Sequence, residues 1–153
     1  IVADCRLGRG DAAYATLKKI MPDAPDNPME HSGCEPYAFT NMYLGPANPR
    51  PGFAMFSWIS GTAGWVFRAV TQDMLGFHPE YDGFHLNPCL PSEWDGCRFE
   101  RQFRGNRYRI EIRNPNHVQN GVVSLELDGG KRPGTYIPYI HDDRVHFIIV
   151  TLG

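Results

Sequence analysis

The chain is short of cysteine, of long apolar runs and of net charge, and each shortage removes a class of protein. Its four cysteines, Cys5, Cys34, Cys89 and Cys97, stand 29, 55 and 8 positions apart, with no CxxC pair and no Cys/His ligand spacing. That argues against a zinc finger and a disulfide scaffold, and a chain of 153 residues needs no covalent staple, so free thiols of a cytosolic protein are expected. The longest apolar runs, such as Phe147 to Val150, are far too short to span a bilayer. Fifteen Lys and Arg against seventeen Asp and Glu leave a net charge of -2, so no global field draws the chain to nucleic acid or to a membrane surface. Six histidines lack HxxxH and HExxH spacing, which speaks against a metal site. No repeat, low-complexity tract or signal-peptide pattern is visible. What is present is a globular composition, 42% hydrophobic, 12% aromatic and 21% charged, enough for one ordinary domain or two small ones.

The chain changes character near residue 83. Before it, helical patterns alternate with Pro/Gly-rich connections. Asp11 to Met21 places Tyr14, Leu17 and Met21 on one stripe and Lys18 and Lys19 opposite, and Pro22 ends it. Pro36 to Leu44 has a proline at the first position of a short helix. In Thr62 to Leu75 the residues Ala63, Val66, Phe67, Val70 and Met74 follow helical spacing, and apolar Trp65 and Ala69 beside that stripe predict cover on more than one side. After Gly83 the period becomes two. Arg98 to Phe103, Tyr108 to Arg113, Val122 to Leu127, Thr135 to Ile140 and Val145 to Thr151 read as short strands of an antiparallel sandwich, with Phe99, Phe103, Tyr108, Ile110, Val123, Leu125, Phe147 and Ile149 in its core. Residues 85 to 96 carry prolines without periodicity and read as a hinge.

Among candidate sites, Ser57 to Trp65 is the most informative. Ser60, Gly61 and Thr62 set two hydroxyls and a bare backbone ahead of a helix whose first N–H groups lack intrahelical partners, an arrangement suited to an anion such as phosphate. The same residues also suit a plain helix cap. Arg9-Gly10-Asp11 matches an adhesion tripeptide but opens a helix. Glu80, Asp82, Glu93 and Asp95 lie in loops and read as solvated charges rather than a catalytic pair. Tyr37, Phe39, Asn41, Tyr43, Phe53, Phe56 and Trp58 mix rings with polar groups, which fits either a sugar site or an aromatic core.

Taken in order, GRGD, EPYAFTN at 35 to 41, SWISGTAGW at 57 to 65, LGFHPEYDGFHLNPCLPSEWDG and FRGNRYRIEI resemble the C-terminal part of the family-94 glycoside phosphorylases. The resemblance implies an α + β chain in which residues 1–83 are the last helices of an (α/α)6 barrel and 84–153 are a C-terminal antiparallel β-sandwich. It implies a cytoplasmic, commonly dimeric enzyme that cleaves a β-linked disaccharide with inorganic phosphate, with inversion, and needs no cofactor because phosphate is itself a substrate. The general-acid aspartate is expected upstream of Ile1, so no catalytic residue is assigned here. By motif position Ser60, Gly61 and Thr62 match the family's phosphate-binding loop, and Glu35 and Asn41 fall on the substrate side. Asn41 stands where cellobiose-type members carry a glutamine, a shorter amide that bears on sugar preference rather than reaction class. The competing expectation is a non-catalytic carbohydrate-binding or scaffold module.

Overall fold

Helix formation at the start of the chain is local and short. The computed structural model, which describes residues 1–153, begins with α1 (Val2–Arg6) and α2 (Gly10–Ile20), followed by a single turn, α3 (Met29–Ser32). Ala13 and Leu17 form the buried stripe of α2, one turn apart, while Lys18 and Lys19 face solvent. Met21, expected on that stripe, lies past the helix end and is 36% exposed. At Gly10 a Cβ would collide with the carbonyl of Leu90, so only glycine lets the start of α2 come so close to that loop. The Asp11 carboxylate accepts the Ser92 N–H at 2.7 Å and the Ser92 hydroxyl at 3.0 Å, and its own N–H donates to Gln119 Oε1. The Arg-Gly-Asp tripeptide is therefore a structural fastening.

The chain packs as two units. Residues 15–69 form one, and residues 1–14 with 70–153 form the other. In the first unit the expected helix over Pro36 to Leu44 is replaced by turns and β1 (Met42–Tyr43), which pairs antiparallel with β2 (Ala54–Met55). Thr40 explains the difference: its hydroxyl is committed to the carbonyls of Met55 and Met42, a cross-strand fastening that a helix would forbid. After β2 the chain runs through an irregular segment into α4 (Thr62–Arg68), which continues as a π-helix over Ala69–Met74. The Leu75 N–H bonds to Val70 O, five residues back, and the buried pair Ala69 and Met74 is also five apart. Trp65 and Phe67 are exposed, so the predicted cover on several sides is absent in this chain.

The second unit contains two sheets. A three-stranded sheet has the order β3 (Phe77–Pro79), β4 (Gly83–Leu86), β9 (Tyr136–Pro138), all antiparallel. A five-stranded sheet has the order β5 (Gly96–Phe103), β6 (Asn106–Arg113), β10 (Val145–Leu152), β7 (Val122–Leu127), β8 (Gly130–Arg132). In this unit sheet structure thus starts at Phe77, ahead of the change of pattern at Gly83. The antiparallel expectation fails at one pair: β10 lies parallel to β6, with Ile148 opposite Ile110, and antiparallel to β7, with Ile148 opposite Leu127. Hairpins β5–β6 and β7–β8 turn at Arg104-Gly105 and Asp128-Gly129, all four residues with positive φ, as two-residue turns that follow strand twist require.

One apolar cluster joins the sheets. Phe77, Phe84, Leu86 and Ile137 from the smaller sheet meet Tyr108, Ile110, Ile112, Leu125, Leu127, Ile148, Val150 and Leu152 from the larger. Phe77 and Phe84 stack with centroids 4.5 Å apart, and Phe84 meets Tyr108 edge-on at 4.8 Å. Of the expected core, Tyr108, Ile110 and Leu125 are buried, and Phe99 and Phe103 pack partly against the cluster. Val123 and Phe147 are 63% and 54% exposed, and Ile149 shares the outward face of β10. The expected hinge is also packed: Cys89 and Leu90 are buried, with Leu90 in the core. No helix is long and apolar enough to cross a membrane.

Candidate phosphate and sugar site

The candidate residues fall in the unit of residues 15–69, on two segments held side by side by the β1–β2 pair. The first is Glu35 to Asn41 and the second Ser57 to Thr62. The half-buried Glu35 carboxylate accepts two hydrogen bonds from the second segment, from the Ser57 hydroxyl at 2.8 Å on Oε2 and from the Trp58 indole N–H at 2.9 Å on Oε1. The indole N–H, the residue's own backbone N–H and the Ser57 hydroxyl hold the carboxyl below the usual carboxylate range, so Glu35 is ionised at neutral pH. Asn41 Nδ2 donates to the Ile59 carbonyl at 3.0 Å. The two residues assigned to the substrate side therefore bond residues 57, 58 and 59.

Ser60 Oγ accepts the Thr62 N–H at 2.9 Å, which meets one of the orphan donors at the start of α4. The hydroxyl proton of Ser60 can still be donated to an anion. Gly61 precedes the helix with φ -81° and ψ -4°, a conformation open to any residue, and a Cβ there would meet only Trp65 at 3.7 Å. At Gly64 a Cβ would meet nothing within 4 Å. Neither glycine is demanded by the packing of this chain. Together with Trp65 and Arg68 they line an open hollow of about 220 Å³ on one face of the helix. The Arg68 guanidinium stands 5.4 Å from the Trp65 ring centroid and gives the hollow its positive charge. Sequence inspection missed Arg68, although Gly61, Gly64, Trp65 and Arg68 follow the spacing of one helix face.

Aromatic rings stand nearby. Trp58 is 72% and Tyr37 74% exposed, and they meet edge-on with centroids 6.3 Å apart. No group of three or more His, Cys, Asp or Glu side chains is placed to hold a metal ion. The ensemble is chemically simple: hydroxyls, backbone N–H groups and a cation that suit an oxyanion, beside rings that suit the face of a sugar.

Comparison with known proteins decides the lineage. Residues 1–76 match the glycosyl hydrolase 94 superfamily catalytic domain, and residues 72–129 match the C-terminal domain of glycosyl hydrolase family 65. The chain belongs to the glycosyl hydrolase 94 superfamily. Within family 94 it is 52% identical over 99% of its length to a solabiose phosphorylase of Paenibacillus borealis, covering 20% of that protein. It is 35% identical over 99% of its length to an N,N'-diacetylchitobiose phosphorylase of Vibrio proteolyticus, covering 19% of it. A 3-O-beta-D-glucopyranosyl-beta-D-glucuronide phosphorylase of Paenibacillus borealis is 33% identical over 90% of the chain, which covers 18% of that relative. The chain thus spans about a fifth of the length of the curated relatives it matches. The two family matches overlap at residues 72–76, where the π-helix ends and the first strand of the β unit follows.

Proposed function

We propose that this chain is part of an inverting disaccharide phosphorylase, which transfers the glycosyl group of a β-linked, glucosyl-type disaccharide to inorganic phosphate. The observation that carries the proposal is the Ser60-Gly61-Thr62 loop opening onto a cationic hollow lined by two glycines that nothing in the chain requires. Phosphate held there by the Ser60 hydroxyl, the Gly61 N–H and Arg68 attacks the anomeric carbon. As that C–O bond forms, the bond from the anomeric carbon to the acceptor oxygen breaks, and a general acid gives the leaving oxygen its proton. The products are a sugar 1-phosphate and the free acceptor. Phosphate fills the role that activated water has in an inverting hydrolase, so no second carboxylate and no cofactor is needed.

The acid is an aspartate of the remaining four-fifths of the protein, in the upstream helices of an (α/α)6 barrel whose last helices belong to this chain. Residues from Phe77 onward form the β domain that follows the barrel. The segment of Glu35 and Asn41 borders the donor sugar, with Asn41 tuning sugar preference. The whole enzyme is a cytoplasmic homodimer.

The decisive measurement is phosphate saturation of the whole enzyme. One hydrogen bond to a charged group is worth roughly 1.5 to 3 kcal/mol, so Ser60→Ala is expected to raise the Michaelis constant for phosphate on the order of tenfold or more. An unchanged constant would reduce Ser60 to a helix cap.

A further inference from the structure

The Glu35 segment grips the chain entering the phosphate loop at three successive residues. Glu35 takes the Ser57 hydroxyl and the Trp58 indole N–H, and Asn41 holds the Ile59 carbonyl. Immediately before these residues the backbone is strained: Phe56, a bulky side chain, has φ 60° in the left-handed region. Such a conformation persists where the surroundings over-determine it. Thr40 supplies one restraint on the near side, through Met55 O, and Glu35 supplies two on the far side. Both oxygens of Glu35 are engaged, and its ionised state makes both bonds charge-assisted.

We infer that Glu35 is a positioning residue for phosphate: by anchoring Ser57 and Trp58 it fixes the path of residues 57–59, and so the placement of the Ser60 hydroxyl and Gly61 N–H at the anion. The inference rests on the phosphate reading given above, and it moves Glu35 from contact with sugar to control of the loop. A site whose supporting residues are removed loosens by an ångström or so, which is enough to lose the bonds it was built to make. The loss then falls on the substrate that the loop holds.

The test is initial-rate kinetics of the whole enzyme with each substrate varied in turn. Glu35→Ala is expected to raise the Michaelis constant for phosphate about tenfold, while the constant for the disaccharide changes by less than about twofold. Ser57→Ala and Trp58→Phe each remove one bond and are expected to raise the phosphate constant about threefold. The double variant Glu35→Ala/Ser57→Ala is expected to be no worse than Glu35→Ala alone, because the bond that Ser57→Ala removes is already lost with the carboxylate. Glu35→Gln, which keeps a single acceptor oxygen, falls between Glu35→Ala and the parent. A Glu35→Ala enzyme with a raised disaccharide constant and an unaltered phosphate constant would show that the carboxylate serves the sugar, and would overturn the inference. Should Glu35→Ala fail to fold, unaltered phosphate constants in both Ser57→Ala and Trp58→Phe overturn it equally. Ser60→Ala separates the two levels: if it affects phosphate while the Glu35, Ser57 and Trp58 variants do not, only the positioning role fails. If Ser60→Ala is silent, the phosphate reading fails and takes the positioning role with it.

Discussion

His146, 5% exposed, is bracketed by carboxylates on both ring nitrogens, Asp128 at 2.7 Å from Nδ1 and Asp142 at 3.0 Å from Nε2, and stacks on the Tyr108 ring with an interplanar angle of 27°. Burial opposes charging the ring, but the hydrogen bonds and charges of Asp128 and Asp142 outweigh it and hold His146 above the ordinary histidine range. Its pKa being higher folded than unfolded, the bracket stabilises fully below the unfolded value of about 6.5 and is lost as pH rises through the folded one. Thermal midpoints are therefore expected to fall between pH 6 and pH 9, and His146→Gln should flatten that dependence. An equal slope in the variant would assign it elsewhere. At Gly64, a helical position where an added methyl group meets only open space, Gly64→Ala is expected to stabilise the helix by up to about 1 kcal/mol and to raise the phosphate Michaelis constant. A more stable enzyme with unaltered phosphate kinetics would mean that the hollow holds no anion.

Strand β10 shows where the sequence could and could not be read. Its run VHFIIVTL carries apolar residues at both parities, Val145, Phe147 and Ile149 on one and Ile148, Val150 and Leu152 on the other, so alternation alone does not choose the inner face. Pairing chooses it: Ile148 stands between Ile110 and Leu127, in line with the buried face of both neighbours. Ile148→Ala is expected to cost about 2–5 kcal/mol and Phe147→Ala about 1 kcal/mol or less, measured by denaturant unfolding; the reverse order would place the core on the other face. The larger strands were legible because each is a local period-two run, and α2 because its apolar stripe is local too. β3 and β4 were hidden by prolines and by their shortness, although Asp128-Gly129 marks the turn that leads into the unpredicted β8. The missing helix over Pro36 to Leu44 and the grip of Glu35 on Ser57 and Trp58 depend on contacts with residues far along the chain, and no local pattern encodes them.

For the molecule as a whole, the proposed reaction divides between this chain and the rest of the protein, so residues 1–153 alone are expected to release no sugar 1-phosphate from a β-linked disaccharide, since positioning of the acid supplies much of the rate. Detectable phosphorolysis by these residues would contradict the assignment of the acid to the remainder. The larger sheet adds a constraint of a different kind. Its central strand, β10, is the last of its five to be synthesised, yet it fills the gap between β6 and β7. On the ribosome the hairpins β5–β6 and β7–β8 emerge with those inner edges bare, and at ordinary translation speeds of roughly 5–20 residues per second the β6 edge stays open for on the order of seconds before residues 145–152 are made. The nascent sheet is thus two separate ribbons with sticky margins, and its final strand acts as a key that arrives late. Codon-dependent pauses or chaperones acting in that interval would bear on the yield of this protein.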